Sequence, residues 1–246
     1  GQNKETYTYE NGSYHCKGRG FIGYRKILRH DSISDIKTVL SFKTYLPKYI
    51  PSLVSKEVYL HDKLIESYNS TNRVYTIGRC ATVNSIQSQY DYETQGITHV
   101  EKNEYTYNAD GDVTRHIQVI NGCDSIVKNT TYNNNYLPRI TGRPASIVQQ
   151  GYVNGTPATK IEELFSYSGP NLSQKTTKKG GKAQLIERFT YSPTGNVLSK
   201  KLTAGGLTRT ESVAYDACYL HKTQYTDAGG YVSNYTYDAN TGWLAS

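Results

Sequence analysis

The sequence predicts an all-β fold, an antiparallel meander of hairpins forming a twisted, curved, open sheet. Three observations predict it. The first is composition: 24 tyrosines stand against four phenylalanines and one tryptophan. Tyr has a flat apolar body and a polar tip, which suits a half-exposed sheet surface. The second is a recurring aromatic–x–Tyr step followed by a polar, Gly-containing turn. The third is a set of Asn-Gly and Gly-Gly dipeptides between β-branched runs, and these accept the positive φ angles of tight hairpins.

Taken along the chain, residues 1–89 read as an irregular N-terminal β segment and 90–246 as a hairpin array. In the first part, Tyr7-Thr-Tyr9-Glu-Asn-Gly12 fits the Tyr-turn pattern, and Gly18, Gly20 and Gly23 are expected to permit tight bends. The pattern returns at Tyr90-Asp-Tyr92-Glu-Thr-Gln-Gly96, Tyr105-Thr-Tyr107-Asn-Ala-Asp-Gly111, Phe189-Thr-Tyr191-Ser-Pro-Thr-Gly195 and Tyr235-Thr-Tyr237-Asp238-Ala-Asn-Thr-Gly242. Looser copies sit at Tyr132, Tyr167 and Tyr215-Asp216. From Tyr107 onward the second tyrosines recur at steps of 25, 35, 24, 24 and 22 residues. The long step spans Pro138, Pro144 and Pro157, where an insertion is expected. Asn121-Gly122, Gly180-Gly181, Gly205-Gly206 and Gly229-Gly230 divide the repeats into hairpin halves. A fixed period of this length marks a stacked repeat, in which each hairpin buries surface only against its neighbours.

At these residues the sequence resembles the YD repeat of RHS proteins, teneurins and insecticidal toxin complexes. Gly18-Arg-Gly20-Phe-Ile-Gly23-Tyr is similar to a Gly-Arg-Gly-Phe-Leu-Gly-Phe segment of the toxin complex B component, and Tyr45-Leu-Pro47 and Tyr49-Ile-Pro51 stand where that family has a Tyr-x-Pro element. The resemblance covers roughly 1–30 and 90–246, and 31–89 loosely. It implies a secreted or cell-surface protein whose sheet spirals into a shell around, or a stalk for, a toxic effector domain. Partners would be neighbouring segments or the effector of the same parent protein. The family's self-cleaving Asp-Pro-rich motif is absent from Thr241-Gly-Trp-Leu-Ala-Ser246, so no cleavage activity is carried over. The chain begins at Gly1 and contains no Met, and we read it as a segment of a longer protein.

Direct inspection finds no catalyst. Gly18-x-Gly20-x-x-Gly23 matches a dinucleotide fingerprint in letters only, because no apolar strand precedes it and position 43 is Lys. Ser34-Asp-Ile-Lys37 lacks the companion elements of an acylating Ser-x-x-Lys. The six histidines (15, 30, 61, 99, 116, 221) are scattered, and His15-Cys16 and Glu162-Glu163 point to opposite faces of a strand. No cofactor or metal is expected. Cys16, Cys80, Cys123 and Cys218 lack paired spacing and are expected to be small, half-buried hydrophobes. Net charge is +7, densest at Lys175, Lys178, Lys179 and Lys182, read as solvated lysines at a hairpin tip. Nucleic acid is not favoured as a partner. The leading expectation is a non-catalytic scaffold. The alternative is a glycan-binding or adhesion surface using exposed Tyr and Lys, and Trp243 is expected to anchor a repeat turn. No apolar run is long enough to span a membrane.

Overall fold

A computed structural model describes residues 4–77, 80–136, 139–238 and 241–245. Pro138 lies outside these residues, as does the side chain of Cys80. Every regular element among them is a β-strand, and every strand pair is antiparallel. The chain folds as two compact units, Gly1–Asn129 with Gln150–Ala158, and Thr130–Gln149 with Thr159–Ser246.

In the first unit nine strands follow in chain order: β1 (Glu5–His15), β2 (Gly20–Asp31), β3 (Ile36–Tyr45), β4 (Ile50–Leu60), β5 (Lys63–Ile77), β6 (Cys80–Thr94), β7 (Ile97–Tyr107), β8 (Val113–Ile120) and β9 (Asp124–Tyr132). Each pairs with the next. The second unit opens with a two-stranded ribbon, β10 (Asn135–Tyr136) and β11 (Arg139–Ile140), the insertion expected in the long repeat step. Strand β12 (Pro144–Val153) ends in a hairpin with β13 (Thr156–Pro157), whose residues belong to the first unit. It also pairs over Ser146–Gln149 with β14 (Ile161–Ser168). The meander then continues through β15 (Asn171–Lys179), β16 (Lys182–Tyr191), β17 (Val197–Ala204), β18 (Leu207–Tyr215), β19 (Lys222–Thr226) and β20 (Val232–Asn234). Residue 90, where the sequence is expected to pass into regular repeats, lies inside β6.

The hairpin tips follow turn chemistry. Two-residue tips with both φ angles positive occur at Gln95-Gly96, Asn154-Gly155, Gly180-Gly181 and Gly205-Gly206. This geometry matches the right-handed twist of the flanking strands. His61-Asp62 adopts the same geometry without glycine, at φ 48° and 58°. Asn121-Gly122-Cys123 closes β8 to β9 as a three-residue tip.

There is almost no interior. Among the described residues Val58 is the one hydrophobic side chain buried to 8% exposure, and the other buried residues, Asn103, Thr176 and Ser192, are polar. A lone sheet has no second layer to pack against. Alternating strands therefore leave most side chains half-exposed. The cysteine expectation is corrected on this ground: Cys16, Cys123 and Cys218 are exposed free thiols, because all three fall in turns. The lysine expectation is corrected too. Lys175 and Lys178 lie within β15 and pair with Glu163 (2.6 Å) and Glu162 (4.0 Å), while Lys179 and Lys182 flank the tip.

Candidate functional site: the repeat turn and its cross-strand partners

The repeating unit is the site, and it begins with a kink. The ladder register shifts immediately before Tyr107, Tyr167, Tyr191 and Tyr215, so each of these tyrosines faces a β-bulge whose extra residue, Thr114, Ser173, Leu198 or Thr223, lies on the following strand. A bulge adds a residue to one strand and re-aims its side chain. Three of these phenols donate into the backbone of the preceding repeat. Tyr107 reaches the Ser85 carbonyl (2.6 Å), Tyr167 that of Pro144 (2.9 Å) and Tyr191 that of Leu172 (2.8 Å). Tyr237 does the same to Lys222 (3.0 Å). Burial pushes the phenols of Tyr107, Tyr167 and Tyr191 up from their ordinary pKa, which keeps them as donors.

The residue after the tyrosine caps the turn. At Asn108, Ser192 and Asp216 the backbone N–H closes onto the carbonyl of Asp112, Asn196 and His221, and Gly111, Gly195 or Tyr219 donates back to the capping residue's carbonyl. Asp238 closes onto Trp243 and receives Gly242 in the same way. The side chain finishes the cap. Asn108 Oδ1 accepts from Asp110 and Asp112, Ser192 Oγ from Asn196, Asp216 Oδ1 from Leu220, and Asp238 Oδ1 from Thr241. Asp, Asn and Ser share this short acceptor chemistry, so all three serve at one position. The Leu220 N–H is the main reason the Asp216 carboxyl sits below its usual range. Asp227, which sequence reading passed over in favour of Gly229-Gly230, builds another such turn with Tyr231.

Gly111, Gly195, Gly230 and Gly242 hold one left-handed position of these turns, at φ 85°, 89°, 88° and 69°. Tyr219 holds it at φ 56° without being glycine. Gly18 lies in the β1–β2 turn at φ 99° and Gly20 opens β2 at φ 71°, while Gly23 follows the Ile22 bulge of β2 at φ 145°. Trp243 contributes its backbone to the last turn, while its indole is 78% exposed.

Two further positions belong to the unit and were missed. One is an acceptor four residues before the repeat tyrosine; the other stands across the strand from the ring or apolar group two residues before it, and bonds that acceptor. Lys175, opposite Phe165, pairs with Glu163; Lys200, opposite Phe189, pairs with Glu187 at 3.2 Å. His116, opposite Tyr105, is stacked on it at 4.6 Å, with its Nε2 2.7 Å from Asn103 Oδ1. Tyr225, opposite Val213, bonds Glu211. Glu163, Glu187 and Glu211 recur at the same interval as the tyrosines, and that recurrence was available in the sequence.

Tyr9 and Tyr92 differ from this unit, whereas Asn133, after Tyr132, closes its N–H onto the Arg143 carbonyl in the same way. Tyr9 lies inside β1, which runs on past Gly12 because Asn11 absorbs the left-handed φ at 54°. Tyr92 pairs with His99 next to a two-residue tip and stacks on its ring at 5.0 Å. Tyr132 ends β9 ahead of the inserted ribbon. Tyr14, Phe42 and Tyr59, by contrast, face bulges in the following strand, at Ile22, Val54 and Ile65.

No constellation for catalysis forms from the tempting residues. Ser34 donates to Asp31 at 2.6 Å and caps a turn. His30 and His61 each bond one oxygen of Asp35 (3.0 and 2.9 Å), which uses both oxygens on separate rings. Among the described residues no group of three or more His, Cys, Asp or Glu is placed to hold a metal.

No known family signature matches the chain, and no curated protein matches it. Solved structures do. A crystal structure of TcdB2-TccC3 superposes with a TM-score of 0.67 at 10% identity, covering 98% of this chain and 20% of that chain. A crystal structure of TcdB2-TccC3-Cdc42 gives 0.68 at 11% identity with the same coverage. The Photorhabdus luminescens Tc holotoxin pore gives 0.58 at 11%. This chain spans about one fifth of each of those chains. The chain thus shares its all-β fold with a portion of these toxin-complex chains.

Proposed function

We propose that this chain is wall: a non-catalytic stretch of shell or stalk scaffold in a secreted or cell-surface RHS/YD-repeat protein. In this reading 1–89 is the family's N-terminal associated segment and 90–246 its repeat array, and both pack against other segments or an effector domain of the same parent protein. The observation that carries it is where the repeat's polar groups go. The tyrosine hydroxyl donates to the preceding repeat, and the Asp, Asn or Ser side chain is held by its own turn. Residues so committed tie strand to strand and leave no nucleophile with a base beside it. Likeness in fold to the toxin-complex chains supports the reading, although fold alone does not fix function.

The test is the reading frame around this chain, expressed whole. Further repeats of the same period leading into an unrelated domain are expected, with that domain resisting protease in the whole protein and digested when expressed alone. A frame without further repeats, or a domain digested equally in both forms, overturns the proposal.

A further inference from the structure

Strand β1 is an edge. Among the described residues it pairs with β2 and with no other strand. Along an antiparallel ladder, hydrogen-bonded and non-bonded pairs alternate. The Ser32 N–H donates to the Lys4 carbonyl at 3.1 Å, so the Lys4 backbone faces β2, and by alternation so do Thr6, Thr8 and Glu10. The backbone N–H and C=O groups of Glu5, Tyr7 and Tyr9 therefore point away from β2 and line the rim. Proteins commonly blunt such a rim with Pro, with a bulge or with lysines. From Glu5 to Glu10 there is no Pro, no lysine and no register shift; the first shift comes between Ser13 and Tyr14.

A strand that meets its own copy about a twofold axis runs antiparallel to it, and each contact off the axis is made twice. The side chains of β1 select one register. With Tyr7 opposite Tyr7 of a second copy, Lys4 stands opposite Glu10, Thr6 opposite Thr8, and Glu5 opposite Tyr9. Lys4, Thr6, Thr8 and Glu10 share one face of the strand, and Glu5, Tyr7 and Tyr9 the other. Opposite charges, paired threonines and paired aromatic rings are the combinations that stabilise neighbouring strands. Moving the axis by one residue either way sets Lys4 opposite Thr8 or Gly12 and loses both charge pairs. Glu10 turns Oε2 toward Lys26 at 3.6 Å, which leaves Oε1 for the lysine across the axis. We propose that β1 docks edge to edge on β1 of a second copy of this chain, in this register, and that the contact closes as a dimer. This goes beyond the scaffold role and stands or falls separately from it.

The test is sedimentation velocity of the full chain over a range of concentrations. A reversible monomer–dimer equilibrium is expected, without larger species, because a self-complementary contact uses up its own edge. Lys4→Glu and Glu10→Lys each set like charges opposite one another at both ends of the pairing. Each should raise the dimer dissociation constant by about tenfold, since the change acts twice. An equimolar mixture of the two variants should dimerise as the wild type does, because opposite charges then face each other at both ends. Lys182→Glu, beside a hairpin tip of the other unit, should leave the equilibrium unchanged. If Glu10→Lys loses the sheet circular-dichroism signal along with its Lys26 contact, Tyr7→Pro takes its place. That change removes one outward N–H and should abolish the dimer. A monomer at every concentration, growth beyond the dimer, a dimer untouched by the rim variants, or a mixture that stays monomeric overturns the proposal.

Discussion

Tyr219 and Gly195 occupy the same left-handed turn position, so they isolate what that position demands. An L-residue there costs about 1–2 kcal/mol from contact between its Cβ and the following carbonyl. A Cβ added at Gly195 meets nothing closer than 4.0 Å, so only backbone strain opposes it. Gly195→Ala should therefore lower stability by about 1 kcal/mol in urea unfolding, whereas Tyr219→Gly should raise it by about 0.5–1 kcal/mol. Tyr191→Phe, which removes the bond to the Leu172 carbonyl, should cost about 1 kcal/mol, read as a lower urea midpoint. His116 adds a pH dependence. Burial, and secondarily Lys128, pulls its pKa down, while Glu101 opposes this. On acidification the unfolded chain takes up this proton before the folded chain does. The stability His116 contributes is thus full above the unfolded value of about 6.5 and is lost as pH falls through the lower folded value. Urea midpoints should decline over this window in the wild type. Asn103→Glu, which gives His116 the carboxylate that Lys175 and Lys200 have, should flatten or reverse that slope.

Each hairpin couples a kink, a cap and a cross-strand pair, and these differ in how far they can be read from letters. Tips such as Asn121-Gly122, Gly180-Gly181 and Gly205-Gly206 were legible because Gly-Gly and Asn-Gly declare their φ preference locally, whereas the His61-Asp62 tip, without glycine, was not. The bulges were not, because a register shift is a relation between two strands. Tyr9 and Tyr14 show the difference: both precede a glycine, yet only Tyr14 sits at a shift, since Asn11 takes up the left-handed step after Tyr9. The acceptor four residues upstream was legible in its period, but its role needed the partner across the strand. Lysines assigned to a tip by their clustering turned out to be rungs of a ladder, because alternation places Lys175 opposite Phe165 and within reach of Glu163. The Lys200–Glu187 pair tests the value of such a rung. Glu187 is mostly shielded and Lys200 partly exposed, so Glu187→Gln should cost no more than about 1 kcal/mol, and 1 M salt should shrink the difference.

A chain without a core must draw its stability from ladders spread over the whole sheet. Its accessible surface is 15,980 Å² for 27.6 kDa. A compact monomer of that mass exposes about 11,000 Å², and two separate compact halves about 13,000 Å². The excess is surface that a second layer would have covered. Unfolding therefore exposes less new apolar area than usual, while the polar share, peptide groups above all, stays large. Apolar exposure raises the heat capacity and polar exposure lowers it. Scanning calorimetry should accordingly give a heat-capacity change per residue well below the usual ~12–15 cal/mol/K, with a flat stability curve and weak cold destabilisation. A value within the usual range would mean that apolar surface is covered in solution, by self-association or by closure within one chain. Sedimentation across a range of concentrations separates those two: association makes the heat-capacity change rise with concentration, and closure within one chain does not.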